Sequence, residues 1–167
     1  MIQVYTGNGK GKTTAALGLA IRAAGNGLKV YIAQFLKGRD YGELNALKKI
    51  KNIKIEQFGT NCFIKKSPQK KDIKLAKAGL AKIKKVLLKK AYDMIILDEV
   101  NIALQLGLLK IEEVVCLLKK APGNIELILT GRYAPAQILK IADLITEMKE
   151  VKHYFNRGVK ARGGIEL

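Results

Sequence analysis

Gly7-Asn8-Gly9-Lys10-Gly11-Lys12-Thr13-Thr14, GNGKGKTT at residues 7–14, decides how the rest of the chain is read. It lies between a short strand, Gln3-Val4-Tyr5, and a segment from Thr13 to Ala24 with small and apolar residues at helical spacing. Glycines let successive backbone N–H groups converge, and a helix starting there adds its positive end, so the pair forms a phosphate cradle. Lys12 supplies a point charge for phosphate oxygens, and Thr13 or Thr14 can offer a hydroxyl to Mg²⁺. A plain glycine turn would leave Lys10, Lys12 and the paired threonines without a reason. The pattern is one residue short of G-x-x-x-x-G-K-[ST], because the first glycine belongs at position 6, which is Thr6. The spacing alone leaves open whether the loop serves an ordinary nucleotide hydrolase or another use of ATP.

Outward from this loop, strands and helices alternate. Val30 to Phe35 is a mostly apolar run, the pattern of a strand buried on both faces. Tyr41 to Ile50 reads as a helix and Ile53 to Phe58 as a third strand. Gly59 to Lys71 has no period and reads as a functional loop. A lysine-rich helix follows from Asp72 to about Lys90, with Ile73, Ala76, Leu80, Ile83 and Leu87 on one face. Tyr92 to Leu97 is a buried strand ending in Asp98-Glu99. Ile102–Leu106 and Ile111–Lys120 read as short helices, and Ile125–Leu129 as a strand running into Thr130-Gly131-Arg132. Pro135 opens a helix to about Ala142, and Leu144–Met148 reads as an edge strand.

This alternation predicts an α/β fold of three layers, α/β/α, around a mostly parallel sheet. Ligands of such sheets bind at the carboxyl ends of strands. The 7–14 loop, Gln34 to Arg39, Asp98-Glu99 and Gly131-Arg132 all fall at such ends. Asp98-Glu99 stands where a carboxylate can hold Mg²⁺, and either residue fits that role; the competing reading makes Asp98 a helix cap. Arg132 can clamp phosphate through its planar fork. The single histidine, His153, reads as structural, and Cys116 as a core residue.

The 167 residues fit one domain over 1–167. No apolar run approaches the roughly 20 residues that cross a bilayer. The first strand begins at once, no leader is expected, and the two cysteines cannot build a disulfide framework, so a cytoplasmic protein is expected. The formal charge of +17 fits an anionic small substrate on top of a lysine-rich composition. Aromatic and basic residues do not interleave in the way that stacks bases, so no nucleic acid is expected. The alternative reading is a RecA-like phosphate-loop ATPase or kinase acting on nucleic acid.

Five segments together resemble the phosphate-loop ATP:cob(I)alamin (corrinoid) adenosyltransferases. They are the shortened loop at 7–14, Gln34-Phe35-Leu36-Lys37-Gly38, Leu97-Asp98-Glu99, Leu129-Thr130-Gly131-Arg132, and the tail from Ala142 through Val151-Lys152-His153 to Gly164-Ile165-Glu166. The resemblance implies a RecA-like phosphate-loop NTPase fold and a role in cobalamin biosynthesis. It implies that a Co(I) corrinoid attacks C5′ of ATP, which is held in reverse, so the loop cradles a leaving triphosphate. By position, Gly7, Asn8, Gly9, Lys10, Gly11, Lys12, Thr13 and Thr14 would bind ATP. Thr13 and Glu99 would serve Mg²⁺ or Mn²⁺, Lys12, Glu99 and Arg132 would act in catalysis, and Phe63 would face the corrinoid. A homodimer and a flavoprotein or ferredoxin reductant are implied as well. The chain departs from the family at Lys65, where tryptophan is frequent, and at Asn101, where threonine or serine is frequent. The N-terminal extension that some members carry is not expected here.

Overall fold

A computed structural model of the chain describes residues 1–61 and 67–165. The strands are β1 (Ile2–Thr6), β2 (Val30–Phe35), β3 (Ile53–Phe58), β4 (Met94–Asp98), β5 (Glu126–Thr130) and β6 (Leu144–Glu147). The helices are α1 (Lys12–Gly25), α2 (Gly42–Leu47), α3 (Lys70–Lys89), α4 (Val100–Gln105), α5 (Ile111–Lys119) and α6 (Ala136–Leu139), with a 3₁₀ turn at Tyr154–Arg157. All neighbouring strands pair in parallel, in the order β3-β2-β4-β5-β1-β6. The predicted three-layer α/β fold is therefore present, with the arrangement of a phosphate-loop NTPase.

The layers follow from the period-two alternation of the strands. Along β2, Val30 and Ile32 face one core with Ala16, Ala20 and Ala23 of α1 and Leu47 of α2. Tyr31, Ala33 and Phe35 face the other, with Ala76, Leu80 and Ile83 of α3 and Val100 and Ala103 of α4. β2 and β4 are buried along their whole length, so both need apolar residues at every register position except where chemistry intervenes. α1 packs through alanines, which bring its axis close to the sheet. α3 carries its lysines outward, as its amphipathic pattern requires.

Element boundaries differ from the sequence expectation mainly at the short helices. α6 ends at Leu139 rather than Ala142, with Pro135 as its N-cap. Cys116 is exposed, not core, because α5 buries Val114, Leu117 and Leu118 and turns residue 116 away. His153 does act structurally: its Nδ1 accepts from the Phe155 N–H at 3.1 Å and caps the 3₁₀ turn. Phe63, Lys65 and Cys62 lie outside the described residues.

Candidate functional site at the carboxyl ends of the strands

Backbone conformation marks the site first. Gly7 after β1 has φ 92°, Leu36 after β2 has 62°, Glu99 after β4 has 61°, and Gly131 and Tyr133 after β5 have 126° and 58°. Left-handed residues other than glycine are costly and gather where function over-determines the backbone. Here one follows each of three adjacent strands at the same end of the sheet.

In the glycine loop, Gly11 takes φ 114° as the N-cap of α1, so the helix amino terminus opens directly onto the loop. Gly7 and Gly9 are held by close approach. A Cβ on Gly7 would lie 2.5 Å from the Met148 carbonyl oxygen, and one on Gly9 2.7 Å from the Met148 and Lys149 carbonyl oxygens. The Gly9 N–H donates to Met148 O at 2.7 Å, so that amide is committed to the segment after β6 rather than to a ligand. Lys12 is buried, and its Nζ donates to the carbonyls of Gly7 at 2.8 Å and Gly9 at 2.6 Å. Burial depresses its pKa, Glu99 counters that, and Arg132 adds to it. Asn8, Lys10 and Thr14 are exposed on the same loop, with Lys10 Nζ 5.7 Å from the centre of the Tyr154 ring.

β1 and β4 are not neighbours, because β5 runs between them. Thr130, the last residue of β5, fills the gap. Asp98 Oδ1 accepts from Thr13 Oγ1 at 2.8 Å and from Thr130 Oγ1 at 2.7 Å. Its Oδ2 accepts from Gln34 Nε2 at 3.1 Å and pairs with Lys37 Nζ at 3.0 Å. Asp98 is wholly buried, and its four partners come from α1, β5, β2 and the loop after β2. It is no helix cap, since Glu99 occupies that position and no side chain caps α4. Burial alone would lower the Lys37 pKa, but Asp98, Glu43 and Glu99 together raise it. Sequence reasoning placed Lys37 and Gln34 in a motif without giving them a role; that motif was the available signal.

Glu99 sits beside this network. Its N–H donates to Thr130 Oγ1 at 2.9 Å. Among the described residues no hydrogen bond or ion pair engages its carboxylate. Burial and the neighbouring Asp98 raise its pKa, against Lys37, Lys12 and Arg132, which lower it. Arg132 is half-buried after Gly131 and close enough to shift both Lys12 and Glu99. Asn101 fixes that turn from below: its Nδ2 donates to Gly131 O at 3.1 Å, and a Cβ on Gly131 would lie 3.0 Å from Asn101 Cβ.

Together the structure gathers Lys12, Thr13, Asp98, Glu99 and Arg132 at one place, a cationic and carboxylate set around a helix amino terminus. Such a set has the charge pattern that a polyphosphate requires. Over residues 1–167 the sequence matches the family model described as ATP:corrinoid adenosyltransferase BtuR/CobO/CobP. The chain belongs to that family. It is 38% identical over 167 residues to the corrinoid adenosyltransferase of Escherichia coli K12, covering 99% of this chain and 85% of the relative. It shares 38% identity and the same coverage with corrinoid adenosyltransferase CobA of Salmonella typhimurium. The corrinoid adenosyltransferase of Pseudomonas aeruginosa is 33% identical over 169 residues, with 100% of this chain and 83% of the relative covered. The adenosyltransferase family is one of transferase enzymes of cobalamin biosynthesis. Among the described residues no helix is long and apolar enough to cross a membrane.

Proposed function

We propose that this chain transfers the 5′-deoxyadenosyl group of ATP to a Co(I) corrinoid in the cytoplasm. The cobalt electron pair forms a bond to C5′, the C5′–O bond breaks, and triphosphate leaves with that bond's electron pair. The observation that carries this reading is the convergence of Lys12, Thr13, Asp98, Glu99 and Arg132 in a member of this family.

The leaving group gathers negative charge as the bond breaks, so catalysis here is electrostatic. Lys12 would exchange its carbonyl partners for phosphate oxygens, and the α1 amino terminus would face the same anion. Arg132, set by the Gly131 turn, would close the cationic side. Gly7, Asn8, Lys10, Gly11 and Thr14 would line the ATP site, and Gly9 would hold the loop in place. Phe63, outside the described residues, would face the corrinoid.

The donor set fits Mg²⁺ or Mn²⁺. Thr13 gives its hydroxyl proton to Asp98, which leaves its oxygen lone pairs for a cation. The carboxylate of Glu99 lacks a hydrogen-bond partner among the described residues and is held above its usual pKa. Hard oxygen donors of this kind, one or two from protein and the rest from phosphate and water, suit Mg²⁺. Thr13 and Glu99 would hold the ion, whose charge would help neutralise the departing triphosphate. Asp98 orients Thr13. A homodimer and an external flavoprotein or ferredoxin reductant complete the reading.

The test is anaerobic: protein, ATP, Mg²⁺ and chemically reduced cobalamin, followed by visible spectra. A light-sensitive adenosylcobalamin spectrum with one intact triphosphate per corrinoid is expected. Lys12→Ala should lower the rate by about 10²–10³, the usual loss for one charge-stabilising donor. Steady phosphate release stimulated by RNA or DNA, with no corrinoid product, would overturn the proposal.

A further inference from the structure

Three strand ends meet at Gly131. Its N–H donates to the Tyr5 carbonyl near the end of β1 at 3.2 Å. Thr130, one residue earlier, donates to Asp98 at the end of β4 and accepts the Glu99 N–H. Arg132 stands one residue later. Asn101, the second residue of α4, holds this point from the other side, its Nδ2 donating to the Gly131 carbonyl at 3.1 Å. Packing there is tight as well, because a Cβ on Gly131 would lie 3.0 Å from Asn101 Cβ and 3.2 Å from Ile102 N. With φ at 126°, Gly131 takes a backbone conformation that residues with side chains rarely adopt. Past the turn, the Ala134 N–H donates to Thr6 Oγ1 at 3.3 Å, so Arg132 and Tyr133 lie between two anchors.

Asn101 is wholly buried, and its Oδ1 has no hydrogen-bond partner among the described residues. That oxygen is sealed from solvent and so from any ligand, which leaves Nδ2 as the atom through which the side chain acts. For packing alone an apolar side chain of the same size would serve better, since it brings no orphaned acceptor. What the amide supplies is one donor, aimed at the oxygen of the Gly131–Arg132 peptide. That peptide is planar, so fixing its oxygen fixes the Arg132 nitrogen and the direction in which the arginine side chain leaves the backbone. Arg132 lies near enough to act electrostatically on both Lys12 and Glu99. Glu99 is the N-cap of α4, two residues before Asn101. One side chain therefore ties the helix that begins at the carboxylate to the turn that carries the arginine.

We propose that Asn101 is a positioning residue for triphosphate: through the Gly131–Arg132 peptide it aims the Arg132 guanidinium at the phosphates that Lys12 and the glycine loop hold. This rests on the adenosyl-transfer reading. The test is a double-mutant cycle on binding, which separates an effect routed through Arg132 from a general loss of structure. Full-length chains are titrated calorimetrically with sodium triphosphate and Mg²⁺, with the fold checked by circular dichroism. Arg132→Ala is expected to weaken affinity at least about tenfold, the range for a charged hydrogen bond. Asn101→Leu, of similar volume and without the donor, should weaken it about fivefold in the parent chain and less than about twofold in the Arg132→Ala chain. Asn101→Ala, which drops the same donor without apolar bulk, should repeat that pattern and serves where the leucine chain does not fold. A merely structural amide would weaken binding equally in both backgrounds, and that result overturns the proposal. Parent-like affinity in the folded Asn101 variants overturns it too, and leaves the adenosyl-transfer reading standing. Unchanged affinity in Arg132→Ala, or no triphosphate binding by the parent chain, strikes that reading's phosphate site itself, and the proposal falls with it.

Discussion

Asp98 carries four polar partners from four separate parts of the chain and has no access to water. Its charge is compensated chiefly by Lys37, so replacing it takes away the shorter of that ammonium's two ion pairs and leaves it with Glu43 at 3.3 Å. Asp98→Asn should destabilise the fold by about 3 kcal/mol, the low end for breaking a buried pair. Urea denaturation checks this, and a loss under about 1 kcal/mol would mean that the network holds less than its geometry implies. Glu99 behaves in the opposite sense. Its folded pKa is raised above the ordinary 4.5, by burial first and Asp98 second. Stability from such a group is fully present below the unfolded value and is lost as pH rises through the folded one. At neutral pH, above the unfolded value, Glu99 is therefore a destabilising group in the empty site. Glu99→Gln should raise stability at pH 7, and the gain should disappear near pH 4, where both chains carry a neutral side chain. Denaturation curves at the two pH values decide it. A Glu99→Gln chain less stable than the parent at pH 7 would show that the carboxylate has a partner of its own.

Two helices each carry an interior glycine, and the elements treat them differently. Gly18 in α1 is exposed, and a Cβ there would meet nothing within 4 Å. Gly18→Ala should stabilise the chain by about 0.5–1 kcal/mol through helix propensity and a less disordered unfolded state. Gly79 in α3 is buried under two rings, and its Cβ would lie 2.8 Å from Phe58 Cγ and 2.9 Å from Phe35 Cε1. Gly79→Ala should cost about 1–3 kcal/mol by overpacking. Thermal melts of the two variants should move in opposite directions; a shared direction would refute the packing argument. The glycine of the loop adds a third case. Gly9→Ala would force Met148 and Lys149 off the loop, so it should damage nucleotide affinity and stability together.

At the scale of the whole molecule, β6 closes one side of the sheet by pairing with β1 alone. Its Leu144 and Ile145 remain 45% and 49% exposed, and Tyr154 and Phe155 beyond it are exposed as well. Apolar side chains beside an open strand edge favour association. If the homodimer reading holds, light scattering should give twice the chain mass at micromolar concentration. Leu144→Lys with Ile145→Lys should then lower it toward one. A parent chain that stays monomeric would remove the dimer from the proposal.

Local pattern in the sequence was enough for the three-layer fold, because apolar runs and helical spacing are set residue by residue and a parallel sheet follows from their alternation. It was enough, too, to bring Lys12, Thr13, Asp98, Glu99 and Arg132 to one end, since Asp98, Glu99 and Arg132 lie at or just past the ends of β4 and β5, and Lys12 and Thr13 open the helix that the glycine loop joins to β1. Strand order belonged to the tertiary structure. That β5 separates β1 from β4, so that Thr130 must bridge to Asp98, depends on long-range pairing that no local period encodes. The same holds for which glycine faces open solvent, which faces a ring, and why Cys116 turns outward. These outcomes are decided by what lies across the packed interface, and a single stretch of chain holds no record of its neighbours.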